Sequence, residues 1–269
     1  MMRPVSRRRR VARRPPVAAC LLAAAAVAFL VLPLIGLAQR APWSTIWGDL
    51  TDSATVDALR LSFECSLGAM ALSLVFGVPL AWVLARVDFP GRRLTRALVL
   101  VPMVLPPVVG GVALFLAIGP RGLLGQYLHQ WFGLTLPFTT LGVIVAETFV
   151  AMPFLVITVE GGLRAMDQRY ESAATTLGAT RWTVFRRVTL PLIAPSLVAG
   201  AALSWARALG EFGATITFAG NLAGRTQTMP LAIFLAFENN PETAIALSLV
   251  LVVVSVAVLA ALRDRWLTV

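Results

Sequence analysis

Glu147 sits in the middle of an apolar run, 139–159. A carboxyl group at that depth could pass protons, hold a cation or bond to a neighbouring helix. Charge inside a membrane-like segment is costly and defaults to a functional reading; a glutamate hydrogen-bonded to the next helix is the structural alternative. Arg207 and Glu211 stand four residues apart, so on a helix they share a face and can pair. Such a pair near a membrane interface is structural more often than substrate-binding. Ser204, Thr215 and Thr217 offer hydroxyls that could line a weakly binding path. Asn221, Arg225, Thr226, Gln227 and Thr228 gather donors around one fixed positive charge. This last group could hold an anion or be a solvated loop.

Composition excludes other chemistry. All 23 basic residues are Arg and none is Lys. A P-loop ATPase needs the lysine of Gly-x-x-x-x-Gly-Lys-Ser/Thr, and a Schiff base needs a lysine amine. With His129 the one histidine and Cys20 and Cys65 the two cysteines, most His/Cys zinc sites are excluded too. An intramembrane enzyme is disfavoured, because His129 falls outside the apolar runs and no carboxylates cluster. The expectation is a chain with no catalytic residue and no metal or cofactor of its own.

The elements that must position these residues are apolar helices. The chain has 269 residues, 58% hydrophobic and 13% charged, against about 25% charge in an ordinary soluble domain. A crossing helix needs about 20 mostly apolar residues, and six stretches qualify: 17–38, 65–85, 97–118, 139–159, 193–209 and 244–262. The fifth is interrupted at Arg207 and Glu211 and resumes at 212–219. Arginines mark the sides: 18 lie in 1–16, between spans two and three, between spans four and five, and after span six, while 5 lie on the other face. Positive residues stay cytoplasmic, which places both termini inside. The formal charge of +10 is thus a sidedness signal, and nucleic acid is not an expected partner. Lipid is. The run 17–38 is longer than a secretory h-region and reads as a retained anchor behind a basic segment, 1–16. Residues 17–20 have lipobox chemistry without an apolar signal core before them. Both cysteines read as small packing residues, with no disulfide.

Span three carries Pro102, Pro106 and Pro107, then Gly110-Gly111. Proline removes an amide donor and clashes with the preceding turn, so this span should bend or break. Neighbouring helices or a wet cavity must then satisfy the freed carbonyls. The bend is either a packing kink or a gate that lines a path. Between spans four and five, the loop 160–191 reads as a short helix ended by Gly178, followed by a second stretch, 182–189, that ends at Pro191. Helices this short need a partner, and small side chains let a groove close around one.

Within that loop, Ala173-Ala174, Gly178 and, after nine residues, Val188-Thr189-Leu190-Pro191 resemble the Glu-Ala-Ala…Gly…Ile-x-Leu-Pro pattern of permease subunits of bacterial ABC importers. Ser172 stands at the Glu position, with Glu171 one residue earlier. The resemblance covers about 53–266. It sharpens at Ala206-Arg207-Ala208-Leu209-Gly210-Glu211-Phe212-Gly213-Ala214-Thr215, which is similar to permeases for molybdate, tungstate and sulfate. Residues 219–233 are most similar to the molybdate branch; Asp88-Phe89-Pro90-Gly91-Arg92, 104–111 and Pro137-Phe138-Thr139-Thr140 are further matches, and the combined pattern favours that branch.

The resemblance implies an all-α membrane protein with six transmembrane helices and the type I ABC importer (MetI-like) permease fold, in the bacterial cytoplasmic membrane. It implies that Glu171, Ser172, Ala173, Ala174, Gly178, Leu190 and Pro191 belong to a coupling helix docking on a separate cytoplasmic ATPase, which holds ATP and Mg. An extracytoplasmic solute-binding protein and a second permease copy, as a homodimer, are the other implied partners. Pro106, Pro107, Gly110, Glu147, Ser204, Thr215 and Thr217 are candidates for path or gate, and Asn221, Arg225, Thr226 and Thr228 for the outer loop. The implied cargo is molybdate, with sulfate, thiosulfate or tungstate as alternatives. An ion-coupled carrier or channel using Glu147 is the alternative of another class, and it leaves the loop spacing unexplained.

Overall fold

The computed structural model describes residues 17–266, and every regular element among them is helical. The chain divides after Ala41 into two units. The first contains α1, Val17–Gln39, 23 residues of high mean hydropathy. The second holds everything that follows.

In the second unit a short α2, Ile46–Thr51, leads into α3, Ser53–Arg86. Asp52 begins α3, its carboxylate accepting from the Ala54 amide at 3.1 Å. The helix starts twelve residues before the expected 65–85 span, because its first turns are polar yet helix-compatible. Arg60 and Glu64 pair at 2.7 Å across one turn, an arrangement that supports a helix without any apolar run.

The third span is broken. α4, Arg92–Val104, and α5, Pro107–Ile118, bend by 118° at their junction. Leu105 and Pro106 are both extended, with ψ of 136° and 131°. Each precedes a proline, whose ring drives the residue before it out of the helical region. Two such residues in succession turn the chain past the perpendicular, making a broken span or a re-entrant loop in place of a straight crossing. Among the described residues, five helices are long and apolar enough to cross a membrane, and six if this pair counts as one.

A short α6, Gly125–Phe132, precedes α7, Thr140–Ala165. Thr139 caps α7 by accepting from the Gly142 amide at 3.0 Å. Next come α8, Arg169–Thr176, and α9, Arg181–Val184, which runs through a π-turn, Phe185–Thr189, into α10, Leu190–Leu209. The expected stop at Pro191 does not occur. The Leu190 amide reaches back five residues to the Phe185 carbonyl, and this wider turn leads into a helix with Pro191 in its first turn, where no amide is needed. The stretch from Arg181 to Leu209 is one 29-residue span. After α10 come α11, Gly213–Phe218, α12, Met229–Asn239, and α13, Pro241–Trp266.

The core lies where α3, α7 and α10 meet: Ala81, Leu84, Leu155, Val156, Val159, Leu163 and Ile193 are buried together. Lipid is as apolar as leucine, so such helices associate through close packing of small residues. Gly200 of α10 shows this, since a Cβ there would meet the Leu155 carbonyl of α7 at 3.3 Å. A second cluster, Ala58, Met229 and Leu247, joins α3 to α12 and α13.

Candidate functional site

The first part of the site is the loop 160–191. α7 extends into it as far as Ala165, and Asp167 then starts α8, its carboxylate accepting from the Arg169 amide at 2.9 Å. Gly178 ends α8 with φ of +84°. That left-handed geometry lets the Ala179 amide reach the Ala174 carbonyl at 3.1 Å, the six-to-one bond of a glycine-terminated helix. Thr180 begins α9, accepting from the Thr183 amide at 3.3 Å. Ser172 and Ala173 are exposed, Ala174 is half-buried, and Leu177 at the end of the helix is 87% exposed. An apolar side chain so displayed on a surface of small residues is what a docking face presents.

Glu171 faces the other way. Its Oε1 accepts from the Thr189 hydroxyl at 2.6 Å, and its Oε2 lies 3.4 Å from Arg86 Nη2. One carboxylate thereby ties α8 to the end of α3 and to the π-turn. Sequence reasoning missed Arg86 and Thr189, which lie 85 residues before and 18 residues after Glu171, with no local pattern to link them. It also missed a second tie: Glu160 of α7 pairs with Arg96 of α4 and, at 3.0 Å, with Arg164 one turn along. Arg92 and Arg164 donate to the Leu84 carbonyl at 2.9 and 3.4 Å. Carbonyls at a helix end lack internal partners, so these two arginines cap α3.

The second part is polar and buried within the helices. Glu147 is 1% exposed, and its Oε2 has no hydrogen-bond partner. Glu211 is also buried; its Oε1 accepts from the Ala214 amide at 2.8 Å and its Oε2 sits 2.6 Å from Arg207 Nη2. Glu211 thus holds the break between α10 and α11 together. Ser204 and Thr215 are fully buried with hydroxyls that find no partner. The hydroxyl of Thr217 instead donates to Gly213 at 2.8 Å, where α11 packs on α5. Of the paired glycines in α5, Gly111 makes the closer approach: a Cβ there would lie 1.7 Å from Thr217 Oγ1 and 2.7 Å from the Ala214 carbonyl. Gly110 meets only the Phe149 ring, at 3.1 Å. Pro106 and Pro107 lie at the break between α4 and α5.

The third part is the segment 221–228. Thr226 closes a compact turn, accepting from the Leu222 amide at 2.9 Å, and the Arg225 carbonyl accepts from the Thr140 hydroxyl of α7 at 3.0 Å. Thr226, Gln227 and Thr228 are buried, Asn221 is half-buried and Arg225 is exposed. Among the described residues, the side-chain Oδ1 of Asn221 and the hydroxyl of Thr228 have no hydrogen-bond partner. Most of these donors sit in a structured plug against α7; only the guanidinium faces outward.

Comparison with known proteins agrees with this architecture. Residues 77–269 match the family of binding-protein-dependent transport system inner membrane components. The chain is 46% identical to the molybdenum transport system permease protein ModB of Mycobacterium tuberculosis, over 89% of this chain and 90% of that one. It is 40% identical to ModB of Escherichia coli K12, over 78% and 92%. It is 41% identical to the sulfate transport system permease protein CysT of Salmonella typhimurium, over 78% and 76%. Among solved structures, a chain of a bacterial ABC transporter that imports alginate superposes with a TM-score of 0.69 at 20% identity, over 93% of each chain. A chain of the MetNI methionine transporter in an inward-facing form gives 0.56 at 19%, over 87% and 98%.

Proposed function

The chain belongs to the family of binding-protein-dependent transport system inner membrane components, and from that premise we propose that it is the membrane permease of an ATP-driven importer for molybdate. The observation that carries this reading is 46% identity to a molybdenum permease along nearly the whole of both chains. The sulfate permease aligns over less of its own length, which supports molybdate over sulfate. The chain lies in the inner membrane and itself does no bond chemistry.

In this reading two copies pack around a central path lined by the bent α4–α5 pair, α7 and α10. A cytoplasmic ATPase holding ATP and Mg docks on the exposed face of α8, and Ser172, Ala173, Ala174 and Leu177 meet it. Closure of two ATPases on ATP draws the two α8 helices together. The displacement enters α3 through Glu171 and Arg86, and α10 through Thr189 and the π-turn. The path then opens outward to a solute-binding protein that releases its anion, and hydrolysis resets it. Buried, unpartnered hydroxyls at Ser204 and Thr215 suit a path that must bind its anion weakly, since a deep trap would not release it.

Proteoliposomes holding this chain, its ATPase and a molybdate-binding protein should accumulate molybdate only with ATP. Sulfate should compete poorly. Uptake by the permease alone, driven by an ion gradient, would establish the carrier reading built on Glu147. Equal uptake of sulfate through a sulfate-binding protein would transfer the assignment to the sulfate branch.

A further inference from the structure

Beside the end of α3 lies a groove of about 660 Å³, bounded by α3 on one side and by α8, α9 and the π-turn on the other. Its walls are apolar: Val78, Trp82, Val184 and Phe185. Trp182 stacks on Phe185, the rings 5.7 Å apart. Two guanidinium groups, Arg86 and Arg181, line it too, with Glu171, Thr175 and Thr189. The Arg86 side chain is only 9% exposed, yet among the described residues its Nε and Nη2 have no hydrogen-bond acceptor, and Glu171 is its one ion-pair partner, at 3.4 Å. Arg181 is exposed, with no ion pair among the described residues. The groove therefore keeps a net positive charge and unused N–H donors, one set of them buried.

The order of side chains along α3 identifies what fits. Val75, on the same face of α3 one turn before the groove, is 62% exposed; Val78 follows, then Trp82, then Arg86 at the helix end. At 1.5 Å per residue this sequence of chain-facing, aromatic and cationic positions spans roughly 16 Å. A phospholipid leaflet changes from acyl chain to interface to phosphate in the same order, with tryptophan preferring the headgroup level. An inorganic anion would use the arginines and leave the apolar wall uncovered.

We propose that this groove is a binding site for an acidic phospholipid, its phosphate held by Arg86 and Arg181 and an acyl chain laid along Val78 and Trp82. A lipid seated there touches α3, α9 and the π-turn together, and so fastens the α8 segment to the bundle. The inference requires a membrane around the chain and is independent of the anion carried.

The test uses the full chain purified in neutral detergent, with melting temperature followed during addition of phosphatidylglycerol, phosphatidylcholine or inorganic phosphate. Phosphatidylglycerol should give a saturable rise that the other two do not. Arg181→Gln, at an exposed position, should weaken the half-saturation roughly fivefold, as expected for one basic residue at an anionic surface. Arg93→Gln removes an equal charge outside the groove and should leave it unchanged. Glu171→Gln, which removes the competing carboxylate, should tighten it. An equal rise with phosphatidylcholine, an equal rise with inorganic phosphate, or equal weakening by Arg93→Gln overturns the proposal. So does native mass spectrometry, after addition of phosphatidylglycerol, that shows no lipid adduct on the chain.

Discussion

Glu171 shows how much one side chain can hold in this protein. A carboxylate that accepts a 2.6 Å hydrogen bond from Thr189 and faces Arg86 joins three elements far apart in the chain. Glu171→Ala leaves a buried guanidinium without its counter-charge and a hydroxyl unpaired, a loss of about 1–3 kcal/mol. Glu171→Gln keeps an acceptor for Thr189 and should fall between wild type and alanine in thermal stability. Equal melting temperatures for the two variants would show that the tie to Thr189 contributes nothing. The glycine pair in α5 gives a second contrast. Gly111→Ala forces a Cβ onto Thr217 and the Ala214 backbone and should cost about 1–3 kcal/mol, as overpacking does. Gly110→Ala meets a ring that can turn and should cost less. Chemical denaturation in detergent measures the difference, and the opposite order would contradict the α5–α11 packing. Sequence reading singled out Gly110; the side-chain contact that distinguishes it from Gly111 exists only once α11 is docked.

At the scale of the element, the helix end at Gly178 was readable in advance, because left-handed backbone is inexpensive only for glycine. No atom lies within 4 Å of a Cβ built there, so the effect of substitution is conformational. Gly178→Ala should cost about 1–2 kcal/mol, Gly178→Asn less, and a bulky β-branched residue more. The expected readout is faster amide exchange in α8 and lost uptake, with membrane insertion intact; normal transport-coupled ATPase activity in Gly178→Val would sink the coupling role. The break between α4 and α5 was equally legible, since consecutive prolines act locally. The continuation through Pro191 was not. Whether a proline ends a helix or sits in its first turn depends on whether neighbouring residues supply a wider turn, and here the π-turn does.

At the scale of the whole molecule, the 18-to-5 distribution of arginines predicts that both termini face the cytoplasm. Tags at the two ends should resist protease in intact spheroplasts and be cleaved in inverted vesicles; cleavage of either tag in spheroplasts would reverse the assignment. Those arginines also serve a purpose that composition does not reveal, for Arg92 and Arg164 cap α3 and Arg96 holds α4 to α7. The sequence by itself determined the apolar helices, the proline break, the glycine stop and the family, because each rests on neighbouring residues or on a spacing along the chain. Only the tertiary structure decided which way Glu171 points, that Thr226–Thr228 are buried, that Gly111 is the tight contact, and that a cationic groove opens beside Trp82. Each of these joins residues from separate parts of the chain, and their meeting is set by how the helices pack on one another, which no local pattern encodes.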